Sequence, residues 1–198
     1  MADQRHCAGK TWQMSDTPLP HNGEAQLAEV RKPDGSTAVL FSGRSNEGSH
    51  THTPRGIAWS YDSGATFTDV RIADDLTAGI TCLASVLSLD QQPVAGVAGA
   101  EARTNGSSLV FSHPSSSANR SAGVLLRSDD DAESWQVVGS ATPEDPGTSF
   151  GYSMLNSLPQ EDSAAPTVGL TYETGAPGCA ARSSACKIVY RTFEFGGQ

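Results

Sequence analysis

Ser60-Tyr61-Asp62-Ser63-Gly64-Ala65-Thr66-Phe67 returns later in the chain as Ser128-Asp129-Asp130-Asp131-Ala132-Glu133-Ser134-Trp135. Both stretches follow Ser-x-Asp-x-Gly-x-Thr-aromatic, with Ala132 in place of Gly and Ser134 in place of Thr. The residue types suit a tight turn. Asp62 and Asp130 can accept backbone N–H groups, Gly64 can take a positive φ, and Phe67 and Trp135 can pack beneath the turn. Each copy follows one apolar run and precedes another. A worn third copy ends at Gly9-Lys10-Thr11-Trp12, where Cys7 stands in the Asp position. Recurrence of one small unit over a long period predicts β-propeller blades.

The rest of the chain agrees. Short strand-like runs alternate with turn clusters: Gln26 to Val30, Thr37 to Ser42, Gly56 to Tyr61, Ile80 to Leu89, Pro93 to Val97 and Ser107 to Ser112. Gly123 to Arg127, Trp135 to Val138, Ser153 to Leu158, Thr167 to Tyr172 and Lys187 to Phe195 continue the series. Lys32-Pro33-Asp34-Gly35-Ser36 separates the first two as a turn. No run keeps a helical period, so the sequence predicts an all-β fold.

Composition bounds the function. The 198 residues are enough for one domain with a core, and 37% hydrophobic against 18% charged argues against disorder throughout. A net charge of −9 excludes a broad nucleic-acid surface. No apolar run reaches the roughly 18 residues a membrane helix needs. Met1 to Trp12 lacks the apolar stretch of a secretory leader. Of the four cysteines, Cys7, Cys82, Cys179 and Cys186, the last two bracket a short polar loop. They can form a disulfide in an oxidising compartment, which would suit a secretory or lysosomal setting; four free thiols is the equal alternative. No Cys or His spacing matches a metal site, and no cofactor is expected. Asn105-Gly106-Ser107 and Asn119-Arg120-Ser121 fit the glycosylation acceptor pattern.

The repeated turn resembles the Asp box of sialidases, in which it is structural: Ser60, Asp62, Gly64 and Phe67 in one copy, Ser128, Asp130 and Trp135 in the other. Further segments appear in that family's order. They are Glu24-Ala25-Gln26-Leu27-Ala28-Glu29-Val30, then Asp34-Gly35, then Ser42-Gly43-Arg44-Ser45. Phe111-Ser112-His113-Pro114 through Arg120, Gly151-Tyr152-Ser153-Met154-Leu155 and Gly169-Leu170-Thr171-Tyr172-Glu173 complete them. Together they span nearly the whole chain from Gly23 to Phe193. The resemblance implies a six-bladed β-propeller and sialylated glycans as partners.

It also implies roles that side-chain chemistry makes sensible. Sialic acid carries a carboxylate on its anomeric carbon, which Arg44 and Arg120 would hold through charge-assisted hydrogen bonds. A carboxylate nucleophile would be repelled there. Sialidases use a Tyr, the position Tyr152 matches. A phenol with pKa about 10 needs a base beside it, and Glu24 matches the family's partner carboxylate, with Glu29 a nearby competitor. Glu173 matches the residue that orients the first Arg of the family's triad. A glycan on Asn119 would crowd Arg120, so that acceptor is expected to be unused.

The family's early Arg-Ile-Pro stretch and its acid/base Asp have no match in the sequence. The chain opens at what reads as the end of an Asp box. It is therefore expected to be the C-terminal portion of an incomplete propeller, holding about half to two-thirds of the blades. The missing N-terminal part would be its partner, without which strand edges would stay open. The implied activity is a retaining exo-α-sialidase acting on glycoproteins, glycolipids or oligosaccharides, with the piece alone inactive. A sialic-acid-binding propeller without catalysis, an inactive truncated product and a transferase with the same residues are the alternatives.

Overall fold

Alternation of apolar and polar residues sets the strands. In β1 (Asn22–Arg31) Ala28 and Val30 are buried while Leu27 and Glu29 face out, the period of two that one-sided burial demands. The structure is a computed structural model that describes residues 10–12, 14, 19, 22–45, 53–78, 82–89, 107–142, 148–158, 166–175 and 186–195. Beyond β1 its strands are β2 (Thr37–Ser45), β3 (Thr53–Ser60), β4 (Thr68–Ala78), β5 (Ser85–Ser88) and β6 (Leu109–Pro114). They continue with β7 (Gly123–Ser128), β8 (Gln136–Ser140), β9 (Ser153–Ser157), β10 (Thr167–Thr174) and β11 (Lys187–Glu194). No helix among the described residues is long and apolar enough to cross a membrane.

The strands form three antiparallel meanders: β1-β2-β3-β4, β5-β6-β7-β8 and β9-β10-β11. Consecutive strands pair throughout, so each sheet is a local unit, as the repeat predicts. The sheets lie side by side. One core cluster joins the first two through Val30, Leu40, Trp59, Val86, Leu109 and Phe111. The second joins the last two through Leu125, Phe150, Leu155, Val168, Leu170 and Tyr172. The first strands of the three sheets, β1, β5 and β9, run next to one another. The fold is all-β, and its sheets stack as propeller blades do.

The strand expectations hold with shifted ends, except that β4 was not foreseen. Its Val70 and Ile72 alternate with Arg71, Asp69 and Ala73 and are exposed, so it carries little hydrophobic signal. Pro93 to Val97 lies outside the described residues.

Both repeated turns show one hydrogen-bond pattern. Ser60 Oγ donates to Asp62 Oδ1 (2.9 Å) and accepts from Gly64 N (2.7 Å). Asp62 also accepts from Thr66 N (2.8 Å) and Thr66 Oγ1 (2.7 Å). The second turn repeats this with Ser128, Asp130, Ala132 and Ser134 at 2.8, 3.0, 2.9 and 2.6 Å. Gly64 has φ 88° and Ala132 φ 64°. Ala132 takes the left-handed conformation with its methyl group buried in the core. Phe67 meets Phe41 edge-on at 6.0 Å, and Trp135 lies 5.6 Å from Phe111. Of the third copy, Trp12 is 89% exposed; Cys7 and Gly9 lie outside the described residues. Lys32 joins the sheets from below: it sits 3.7 Å over the Trp59 ring and pairs with Asp131 at 3.2 Å.

These turns make stability acid-sensitive. Hydrogen bonds from Thr66 and Ser60 hold the Asp62 carboxyl below its ordinary pKa. For Asp130, burial is the largest influence and pushes upward, but bonds from Ser134 and Ser128 outweigh it, so the net direction is again down. A depressed folded pKa contributes stability that is present above the unfolded value and lost as pH falls through the folded one. The melting temperature of the parent is therefore expected to exceed that of an Asp62→Asn/Asp130→Asn variant at pH 6. The gap should close below pH about 4, as thermal melts across that range would show.

Candidate active site

Four of the side chains singled out from the sequence meet where β1, β2 and β9 approach. β1 has an irregular register against β2 between Asn22 and Ala25, which re-aims Glu24 at its start. Arg44 lies near the end of the paired β2. Its Nη1 donates to Glu24 Oε2 at 3.0 Å. The Tyr152 hydroxyl donates to the other carboxylate oxygen, Oε1. Glu24, and not Glu29, is thus the carboxylate on the phenol. The Arg120 guanidinium stands 5.1 Å from the centre of the Tyr152 ring, within cation–π range.

Backbone bonds lock this geometry. Phe150 N donates to Arg120 O (2.6 Å), Gly151 N to Glu173 O (2.8 Å) and Glu173 N to Tyr152 O (3.0 Å). The Arg120 loop, the Tyr152 segment and β10 therefore move as one. Gly151 lets the two segments approach closely: a Cβ there would stand 3.0 Å from the Glu173 Cβ and 2.8 Å from its mobile Oε2. Glu173 is thus against the Tyr152 segment; among the described residues it pairs with no cation.

The electrostatics keep the Tyr152 phenol protonated. The hydrogen bond to Glu24 raises the Tyr152 pKa above its ordinary value, with burial adding and Arg120 opposing.

Sequence reasoning gave no role to three groups nearby, Arg55, Cys82 and His113. Arg55 opposes Arg44 across β2 and β3 and is 1% exposed. It donates from Nη2 to Cys82 O, lies 5.8 Å from the Phe111 ring, and keeps Nε without a partner among the described residues. Burial lowers its pKa to about 10, so it stays a cation at neutral pH, within electrostatic reach of Glu24. Cys82 is a buried free thiol, and burial raises its pKa to about 11. It is a neutral wall, not a thiolate. His113 is buried, bonded at Nδ1 to Pro114 O (2.6 Å), and burial pushes it down to about 4. It therefore carries no charge near neutrality. Cys186 is disulfide-bonded, so the reading of four free thiols does not hold. Its partner, and Cys179, lie outside the described residues.

No family model matches the chain. A sialidase from Bacteroides fragilis (strain YCH46) is 27% identical over 171 residues, covering 84% of this chain and 26% of the relative. The chain thus spans about a quarter of that protein. The NanB sialidase from Streptococcus pneumoniae superposes with TM-score 0.58 at 21% identity, over 83% of this chain and 22% of that one. The intramolecular trans-sialidase from Ruminococcus gnavus gives 0.55 at 20% identity, over 83% and 31%. An α-L-arabinofuranosidase of Fusarium graminearum gives 0.53 at 16%, over 92% and 49%. The chain resembles sialidases in sequence, and its fold is that of sialidase propeller domains.

Proposed function

We propose that these residues form the nucleophile side of a retaining exo-α-sialidase site acting on sialylated glycoproteins, glycolipids or oligosaccharides. The observation that carries this reading is the Tyr152 hydroxyl on Glu24, with Arg44 on the same carboxylate and Arg120 over the phenol ring. Tyrosine chemistry at a sugar needs a base in contact, and a neutral nucleophile is what a substrate with its own anomeric carboxylate requires.

In this reading Arg44 and Arg120 hold the substrate carboxylate and orient the ring. The Tyr152 proton passes to Glu24 as its oxygen bonds to the anomeric carbon. The glycosidic oxygen leaves with a proton from a carboxylic acid outside the four residues assembled here. Water, deprotonated by the resulting carboxylate, then releases sialic acid with retained configuration, and Tyr152 takes its proton back. Glu173 would orient a further arginine of the site.

The test is to follow cleavage of an α-sialoside by proton NMR, with the chain joined to the N-terminal part that would supply the acid. The α anomer of free sialic acid, appearing first, is the expected product. The β anomer first would overturn retention. An intramolecular transfer product would move the protein from hydrolase to the class that the Ruminococcus gnavus neighbour is named for.

A further inference from the structure

Glu24 and Tyr152 stand on different sheets. Their hydrogen bond is therefore only as good as the spacing of β1 and β9. Those strands are joined through β5 by a run of polar contacts. Leu155 N of β9 donates to Ser85 Oγ at 2.8 Å. Ser85 Oγ donates to Gln26 Oε1 at 2.7 Å, and Val86 N donates to the same oxygen at 3.2 Å. Gln26 Nε2 returns to β9 by donating to Met154 Sδ at 3.0 Å.

Donor arithmetic fixes every direction. A backbone N–H can only donate, so Leu155 takes a lone pair of Ser85. The single Ser85 proton then has to go to an acceptor, Gln26 Oε1. Val86 N needs that same oxygen, so the amide of Gln26 cannot flip: its oxygen faces β5 and its nitrogen faces β9. Ser85 is wholly buried, and no water can replace it cheaply. Gln26 is two residues from Glu24 on β1; Met154 and Leu155 follow Tyr152 closely on β9.

We propose that Ser85 and Gln26 are positioning residues for the Tyr152–Glu24 pair: by tying β1 and β9 through β5 they hold the phenol on its carboxylate. Neither touches the reacting atoms. The inference rests on reading Tyr152 and Glu24 as nucleophile and base, yet it can be tested without turnover.

The chain has four tyrosines, so 13C-tyrosine labelling gives a small set of signals, with Tyr152 assigned from Tyr152→Phe. The groups acting on its phenol are Glu24, Arg120 and Cys82. In Ser85→Ala and in Gln26→Met, the Tyr152 acid dissociation constant is expected to rise about threefold or more toward that of an ordinary tyrosine. The other three signals should keep their titrations, and Ser85→Thr, which retains the hydroxyl, should restore Tyr152. On an α-sialoside, kcat should fall about tenfold at unchanged KM. An unmoved Tyr152 in both variants would overturn the proposal, as would equal shifts of all the tyrosines, which mean general loosening. Absence of sialoside cleavage by the chain joined to its acid-supplying part would instead strike the proposed function and leave the titration result standing.

Discussion

Tyr152→Phe, made in the chain joined to its acid-supplying N-terminal part, is expected to lower sialoside hydrolysis by on the order of 10^3-fold or more while leaving the fold as stable as the parent. The substitution removes one oxygen. That oxygen is the nucleophile in the proposed reaction and the donor to Glu24 Oε1. The ring stays, with Arg120 over it at 5.1 Å. The loss should sit in kcat, since in the proposed reaction Arg44 and Arg120 would still bind the substrate carboxylate and KM should move little. Glu24 keeps its bond to Arg44, so it is not left as an unpaired buried charge. Steady-state kinetics beside a thermal melt checks both halves. Activity within a few-fold of the parent would remove Tyr152 from the nucleophile role and favour a propeller that binds sialic acid by its arginines alone.

The legible and illegible parts of this molecule divide by range. The repeated turns could be read because their bonds are local: Asp62 reaches Thr66, four residues on, and the residue types alone enforce the loop. Strands with a buried face announced themselves by alternation. β4 did not, because its charged residues and exposed Val70 and Ile72 erase the contrast. Tyr152 and Glu24 were found only through resemblance, since 128 residues separate them and their contact depends on how the sheets sit. Arg55 reads in sequence as a solvated charge; burial at 1% exposure comes from strands on either side and from Phe111 beneath it.

Phe150→Ala is the substitution expected to damage fold and site together. Phe150 is fully buried in the cluster shared by the second and third sheets. Its ring lies 4.8 Å from Tyr172 and so close over Gly123 that a Cβ there would stand 2.3 Å from Cδ2. Truncation leaves a hole that those neighbours, fixed on paired strands, cannot close. The expected cost is about 3–5 kcal/mol, a large part of the roughly 5–15 kcal/mol that holds a domain folded. In urea the unfolding midpoint should drop by about 2 M with the slope unchanged. Phe150→Leu, which keeps most of the volume, should lose less than half as much. The functional loss follows from the backbone. Phe150 N is bonded to Arg120 O, and the next residues, Gly151 and Tyr152, are bonded to Glu173. A shifted Phe150 segment therefore moves Tyr152 away from Arg120 and Glu24 even in molecules that remain folded. Turnover per folded molecule, corrected with the denaturation curve, should fall well below the parent. If it stayed at the parent's value, the packing beneath Tyr152 would matter for stability alone, and the backbone ties through Arg120 and Glu173 would suffice to hold the nucleophile in place.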